Sequence, residues 1–153
     1  MNQKSIFLFI LLISLSATNA IPLEKRATQF QDCRGGNFRN AEFIDVSMSP
    51  DPLVSNQNVI FDVSGTLKNN DIKDNNSFVR VQLDDADGTP IDRIRTNVTT
   101  AIKAGQKFDI KTQQHTLPDI PDKYQLTVII VNPSDPPNPA TDVIGCATTR
   151  VGF

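Results

Sequence analysis

The sequence predicts an all-β protein, an immunoglobulin-like β-sandwich of about seven antiparallel strands in two sheets. Three observations carry this expectation. Apolar and polar residues alternate over short segments, as in Val59, Phe61 and Val63 against Asp62 and Ser64. Turn residues divide these segments at short intervals, and 10 of the 153 residues are proline. No segment holds a helical period of useful length.

The strands follow in order. Ile44, Val46 and Met48 alternate with Asp45 and Ser47 until Pro50-Asp51-Pro52 ends the run. Val59, Phe61, Val63 and Leu67 share one face of the next segment, and Val79, Val81 and Leu83 one face of a third. Asp84-Asp85-Ala86-Asp87-Gly88 then predicts a hairpin turn, because an Asp-Gly pair favours positive φ. Ile91 and Ile94 mark a more polar strand, and Phe108 and Ile110 a short one after Gly105. Tyr124, Leu126, Val128 and Ile130 alternate, while Ile129 and Val131 make the same strand apolar on both faces. That composition suits a central position. The four prolines between Asn132 and Thr141 exclude a ladder there, so a loop precedes a final strand at about 143–151.

The ends of the chain indicate its compartment. Lys4, the apolar run Ile6–Ile13 and the small residues up to Ala20 have the three parts of a signal peptide, residues 1–20. The run is shorter than the roughly 20 apolar residues that span a bilayer. Leu23-Glu24-Lys25-Arg26 reads either as a propeptide site, residues 21–26, or as two solvated charges. Cleavage after Arg26 would leave one domain, residues 27–153. It would lower 15 basic and 17 acidic side chains to 12 and 16, a net charge of −4. No clustered basic face for nucleic acid is visible. Cys33 and Cys146 are the only cysteines, and in an oxidising compartment they allow one pairing. Two glycosylation sequons, at Asn75 and Asn97, fit the same compartment. The chain is therefore expected to be secreted or delivered to a vacuolar or lysosomal lumen.

Catalytic machinery is hard to find. The one histidine, His115, lies in a polar stretch before Leu117-Pro118, the setting of a solvated strand residue. There is no Gly-x-Ser-x-Gly elbow, Cys/His pair or phosphate-cradling glycine loop. The Asp84–Gly88 cluster lacks the twelve-residue calcium loop with its closing glutamate and reads as a solvated turn. Neither enzyme activity nor any metal or cofactor is expected.

Several motifs in order resemble one family. They are Phe30-Gln31-Asp32-Cys33, Val46-Ser47-Met48-Ser49-Pro50-Asp51-Pro52, Gly65-Thr66-Leu67, Leu117-Pro118-Asp119-Ile120-Pro121-Asp122-Lys123-Tyr124 and Cys146. Together they are similar to the ML, or lipid-recognition, domain family. That family includes fungal phosphatidylglycerol/phosphatidylinositol transfer proteins and, more distantly, the Niemann–Pick type C sterol-transfer protein. The family's Cys-Pro-Ile-x-x-Gly motif is reduced here to Thr100-Ala101-Ile102-Lys103-Ala104-Gly105. Only the first-to-last bridge, Cys33 to Cys146, carries over, so the end near Thr100 is expected to be looser.

The resemblance implies a monomeric carrier of one phospholipid or sterol between the two sheets, with transient contact to membrane surfaces. The implied cavity liners are Phe61, Val63, Val79, Val81, Phe108, Ile110, Leu126, Val128 and Ile130. Periodicity alone makes the same residues an ordinary filled core. Lys103 and Lys107 are candidates to meet an anionic headgroup or plain surface lysines. Burying about 16 methylenes at about 0.8 kcal/mol each would provide roughly 13 kcal/mol before ordering costs. The alternative is a secreted immunoglobulin-like interaction module or effector with a filled core and no lipid.

Overall fold

The structure is a computed structural model that describes residues 27–33, 38 and 40–153. The signal peptide and the Lys25-Arg26 pair lie outside the described residues. The chain forms two β-sheets packed face to face, and seven strands have five residues or more. These are β2 (Asp45–Ser49), β3 (Asn58–Thr66), β4 (Phe78–Asp85), β5 (Pro90–Asn97), β6 (Lys107–Lys111), β8 (Tyr124–Val131) and β9 (Val143–Val151). Two-residue strands complete the set, β1 (Glu42–Phe43) and β7 (His115–Thr116). A four-residue helix, α1 (Pro139–Asp142), sits in the proline-rich loop before β9.

One sheet has the order β1-β9-β8-β4-β5, and the other has β2-β3-β6 with β7 extending the β6 edge along β3. The pairings are antiparallel except β1 with β9, which is parallel. The strand that is apolar on both faces, β8, lies centrally between β9 and β4, as its composition requires. Its inward residues Leu126, Val128 and Ile130 are 0–1% exposed. They share the core with Val79, Val81 and Leu83 of β4 and with Val59, Phe61 and Val63 of β3.

A second, smaller apolar cluster covers one end of the outer face of the five-stranded sheet. Phe78, Ile129, Val131 and Val143 pack there under Cys33, Phe38 and Ala41. An irregularity between Ile130 and Val131 makes this possible, because it turns Val143 outward and leaves Ile144 in the main core. Cys33 and Cys146 are joined across this cluster with Cα atoms 5.8 Å apart, closing a loop of sequence separation 113. The pairing suits an oxidising compartment. Among the described residues no helix is long and apolar enough to cross a membrane.

The two long edges of the sandwich differ. At one, the chain itself crosses between sheets at fully buried Ile44, from β1 beside β9 to β2 beside β3. At the other, β5 faces β6 and β7 with no ladder between them. Side chains bridge that gap: the Gln113 N–H donates to Thr96 Oγ1 at 3.4 Å, and His115 Nε2 meets Asp92 Oδ2 at 2.7 Å.

The end near Thr100 is not loose. Ile72 and Ile102 exchange backbone hydrogen bonds at 2.8 and 2.9 Å, and the Gly105 N–H donates to the Leu67 carbonyl at 2.7 Å. Asp71 ties the same turn together, accepting from Lys103 Nζ at 2.9 Å and from the Ala104 N–H at 2.8 Å. Backbone pairing and the Asp71 contacts thus fasten this end of the sandwich. The Lys103 ammonium beside Asp71 holds its carboxyl below the ordinary 3.8. A depressed folded-state pKa contributes stability above 3.8 that disappears as pH falls through the folded value. Asp71→Asn is therefore expected to lower the melting temperature at about pH 6, with the difference from wild type shrinking towards about pH 2.5. Thermal unfolding at the two pH values checks this, and a difference that does not shrink would assign the effect elsewhere.

Candidate functional site

The interior offers the most distinctive chemistry. A void between the sheets is lined by Phe61, Val81, Leu83, Asp92, Ile94, Leu117 and Leu126. Its volume is about 10 Å³, at the lower limit for holding even one water. Three of the expected liners, Phe61, Val81 and Leu126, line it. Val63, Val79, Phe108, Val128 and Ile130 belong to the buried core, and Ile110 packs against it half-exposed.

The void lies towards the edge between β5 and β6–β7. Asp92 and Ile94 reach it from β5, Leu83 and Val81 from β4, and Leu117 from the segment after β7. Asp92 pairs in register with Leu83, which places its carboxylate on the inward face of the sheet. It is held there by His115, whose side chain is 35% exposed against 20% for Asp92. The expected solvated histidine is instead half of a side-chain hydrogen-bond contact that bridges the two sheets. A carboxylate and an imidazole thus guard the edge of an apolar interior.

A second buried polar group lies at the start of β8. Tyr124 precedes Leu126 on the same face of β8 and is 3% exposed, and its hydroxyl lies beside the Leu53 backbone without a well-aligned hydrogen bond. Burial pushes the phenol above its ordinary pKa. An unpartnered buried hydroxyl costs about 1–3 kcal/mol. Tyr124→Phe removes the group and keeps the ring, and because the Leu53 contact is poorly aligned it is expected to change stability by no more than about 1 kcal/mol. Urea unfolding measures this, and a clear loss of stability would show that the hydroxyl is satisfied in solution.

Leu83, Asp92, Ile94, Leu117 and Tyr124 were not among the residues expected to form a site. One signal for Asp92 was present in the sequence, since it shares strand parity with Ile94 and is an acid on an apolar face. The lysines expected near a headgroup do not line the void. Lys103 is engaged by Asp71 and Lys107 is exposed at the start of β6. In the Asp84–Gly88 turn, Asp85 Oδ1 accepts from the N–H groups of Asp87 and Thr89, a carboxylate closing its own hairpin. Both sequon asparagines, Asn75 and Asn97, are exposed.

A larger but different depression, about 800 Å³, lies on the surface between residues 28–31 and the end of β9. Its lining is mixed, with Gln31, Gln125 and Arg150 beside Pro52 and Val151, and it opens on the outer surface and not between the sheets.

No family model matches the chain, and no curated protein matches it. Among solved structures it is similar to a β-glucuronidase from glycoside hydrolase family 2, at 19% identity and a TM-score of 0.42. That match covers 72% of this chain and 11% of the other. A calcium-binding mutant of Bacteroides uniformis β-glucuronidase 2 matches at 16% identity and a TM-score of 0.41, over 74% and 13% of the two chains. The chain thus spans a small fraction of the length of these enzymes, and likenesses this weak say nothing about its activity.

Proposed function

We propose that this chain binds one lipid, a phospholipid or a sterol, between its two sheets and carries it between membranes. The observation that supports the reading most directly is the edge between β5 and β6–β7. It has no ladder, its contacts are side-chain bridges, and it opens onto an apolar interior. Parting that edge breaks the His115–Asp92 contact and exposes the faces of Phe61, Leu83 and Leu126. Apolar burial then drives uptake, and no covalent chemistry is needed. The ordered motifs that resemble the ML domain family point the same way. In this reading the protein works as a monomer in a secreted or vacuolar setting and touches membranes transiently.

One observation favours a second reading, an immunoglobulin-like interaction module with a filled core. The void between the sheets is about 10 Å³, so a lipid enters only if the sheets separate. Purified full-length protein distinguishes the two. Organic extraction followed by mass spectrometry is expected to find about one lipid per chain, or exchange with added lipid is expected to reach that ratio. Absence of both would leave the interaction module as the surviving reading.

A further inference from the structure

Outside the interior, the outer face of the five-stranded sheet carries three arginines in adjoining register positions. Across β9, β8, β4 and β5 one row reads Cys146, Ile129, Arg80, Arg95. The next reads Thr148, Thr127, Gln82, Arg93. Arg80 and Arg95 are therefore directly opposite one another, and like charges in that relation destabilise a sheet. Arg93 lies one row along on the same face.

Among the described residues none of the three forms an ion pair with a carboxylate. Nearby Asp84 accepts from the Gln82 amide on both oxygens at 2.9 Å, and Asp92 is on the opposite face with His115. Arg80 is half-buried and its Nε is fully buried without a hydrogen-bond partner. Burial, followed by the charges of Arg93 and Arg95, pulls its pKa down from the ordinary guanidinium value. Arg95 is anchored, with Cζ 3.8 Å over the Phe78 ring and Nε donating to Asn97 Oδ1 at 3.3 Å. Three arginines in neighbouring rows of one sheet face, with Arg80 between Arg93 and Arg95, are a local reversal of sign on a chain of net charge −2. A small multivalent anion beside Arg80 would relieve their mutual repulsion.

We propose that Arg80, Arg93 and Arg95 form a binding site for the phosphate group of a soluble ligand. Guanidinium matches tetrahedral oxyanions through paired N–H donors, and phosphate provides enough acceptors for several such groups. The soluble source is favoured over a membrane because the exposed large apolar residues, Phe43 and Phe153, do not flank β4 or β5. Three basic residues are also fewer than the roughly four to eight that mark an anionic-lipid site held by charge alone. The proposal is independent of the lipid reading, since this face is separated from the interior by the sheet itself.

Inorganic phosphate is the probe, titrated into the purified full-length protein against sodium chloride at equal ionic strength. Saturable binding is expected by calorimetry, with a phosphate-specific rise in melting temperature. Arg93→Gln is expected to weaken binding about tenfold, the loss of one charge-assisted pair. The double change Arg93→Gln with Arg95→Gln is expected to abolish it. Arg93→Gln removes repulsion at an exposed position, so its melting temperature in chloride is expected to hold or rise, whereas Arg95→Gln also gives up the Phe78 and Asn97 contacts. Equal effects of phosphate and chloride on wild type, or full phosphate binding by the double variant, would overturn the assignment. So would arginine-dependent flotation with phosphatidylglycerol vesicles, but not phosphatidylcholine vesicles, in the absence of any binding of free phosphate.

Discussion

Replacing Cys33 and Cys146 together by serine is expected to cost about 4–5 kcal/mol, the chain-entropy estimate for a loop of this length. The bridge joins positions separated by 113 residues, so nearly the whole domain lies inside the closed loop. Reduction releases that constraint from the unfolded chain and leaves the folded contacts nearly unchanged. The outer-face cluster adds a local effect, because Cys33 packs against Phe78, Ile129 and Val143 with Phe38 and Ala41. Freed from Cys146, the segment carrying Cys33 loses its covalent anchor over these side chains. At this size the combined loss corresponds to a fall in melting temperature of roughly 15 °C or more. Thermal unfolding with and without reductant measures it, and an unchanged melting temperature would show the bridge to be absent or without effect.

The second large effect is expected at Phe61, where truncation to alanine should cost about 3–5 kcal/mol. Phe61 is fully buried in β3, which pairs with β2 on one side and β6 on the other, and it lines the interior void. Its backbone is held on both sides of the amide. The N–H donates to Thr112 Oγ1 at 2.9 Å, and the carbonyl accepts from the Thr112 N–H at 2.9 Å. The strand cannot readily collapse into the space the ring leaves, so most of the cavity should persist. Urea unfolding reads the loss directly. The same variant separates the two functional readings. In a carrier, added lipid occupies the enlarged interior and restores part of the stability by mass action. A filled-core interaction module gains nothing from lipid.

Much of this fold was legible in the residue pattern, for reasons visible in individual strands. The alternation of Val59, Phe61 and Val63 with polar neighbours became β3, since a period of two commits one face to the core. The doubly apolar run from Tyr124 to Val131 became the central strand β8, because both of its faces are covered. The prolines after Asn132 kept that stretch out of the ladder, although Pro139–Asp142 closes into a single helical turn. The two-residue strands β1 and β7 were not legible. Such short pairings have no period and depend on which neighbour the fold brings alongside.

The candidate site was legible only in part. Phe61, Val81 and Leu126 follow from strand parity, while Asp92, His115 and Tyr124 depend on contacts between distant segments. His115 is 23 residues from Asp92, and only the meeting of the two sheet edges makes them partners. The arginine cluster has the same origin. Arg80 and Arg95 are 15 residues apart and become opposite neighbours through the β4–β5 register. By itself the sequence determined the seven longer strands, the single possible cysteine pairing and the apolar character of the interior, because each rests on local period or residue type. Tertiary structure decided which edge of the sandwich lacks a ladder, how little space separates the sheets and which charges face one another. Those properties belong to register and packing between segments, and no single segment contains them.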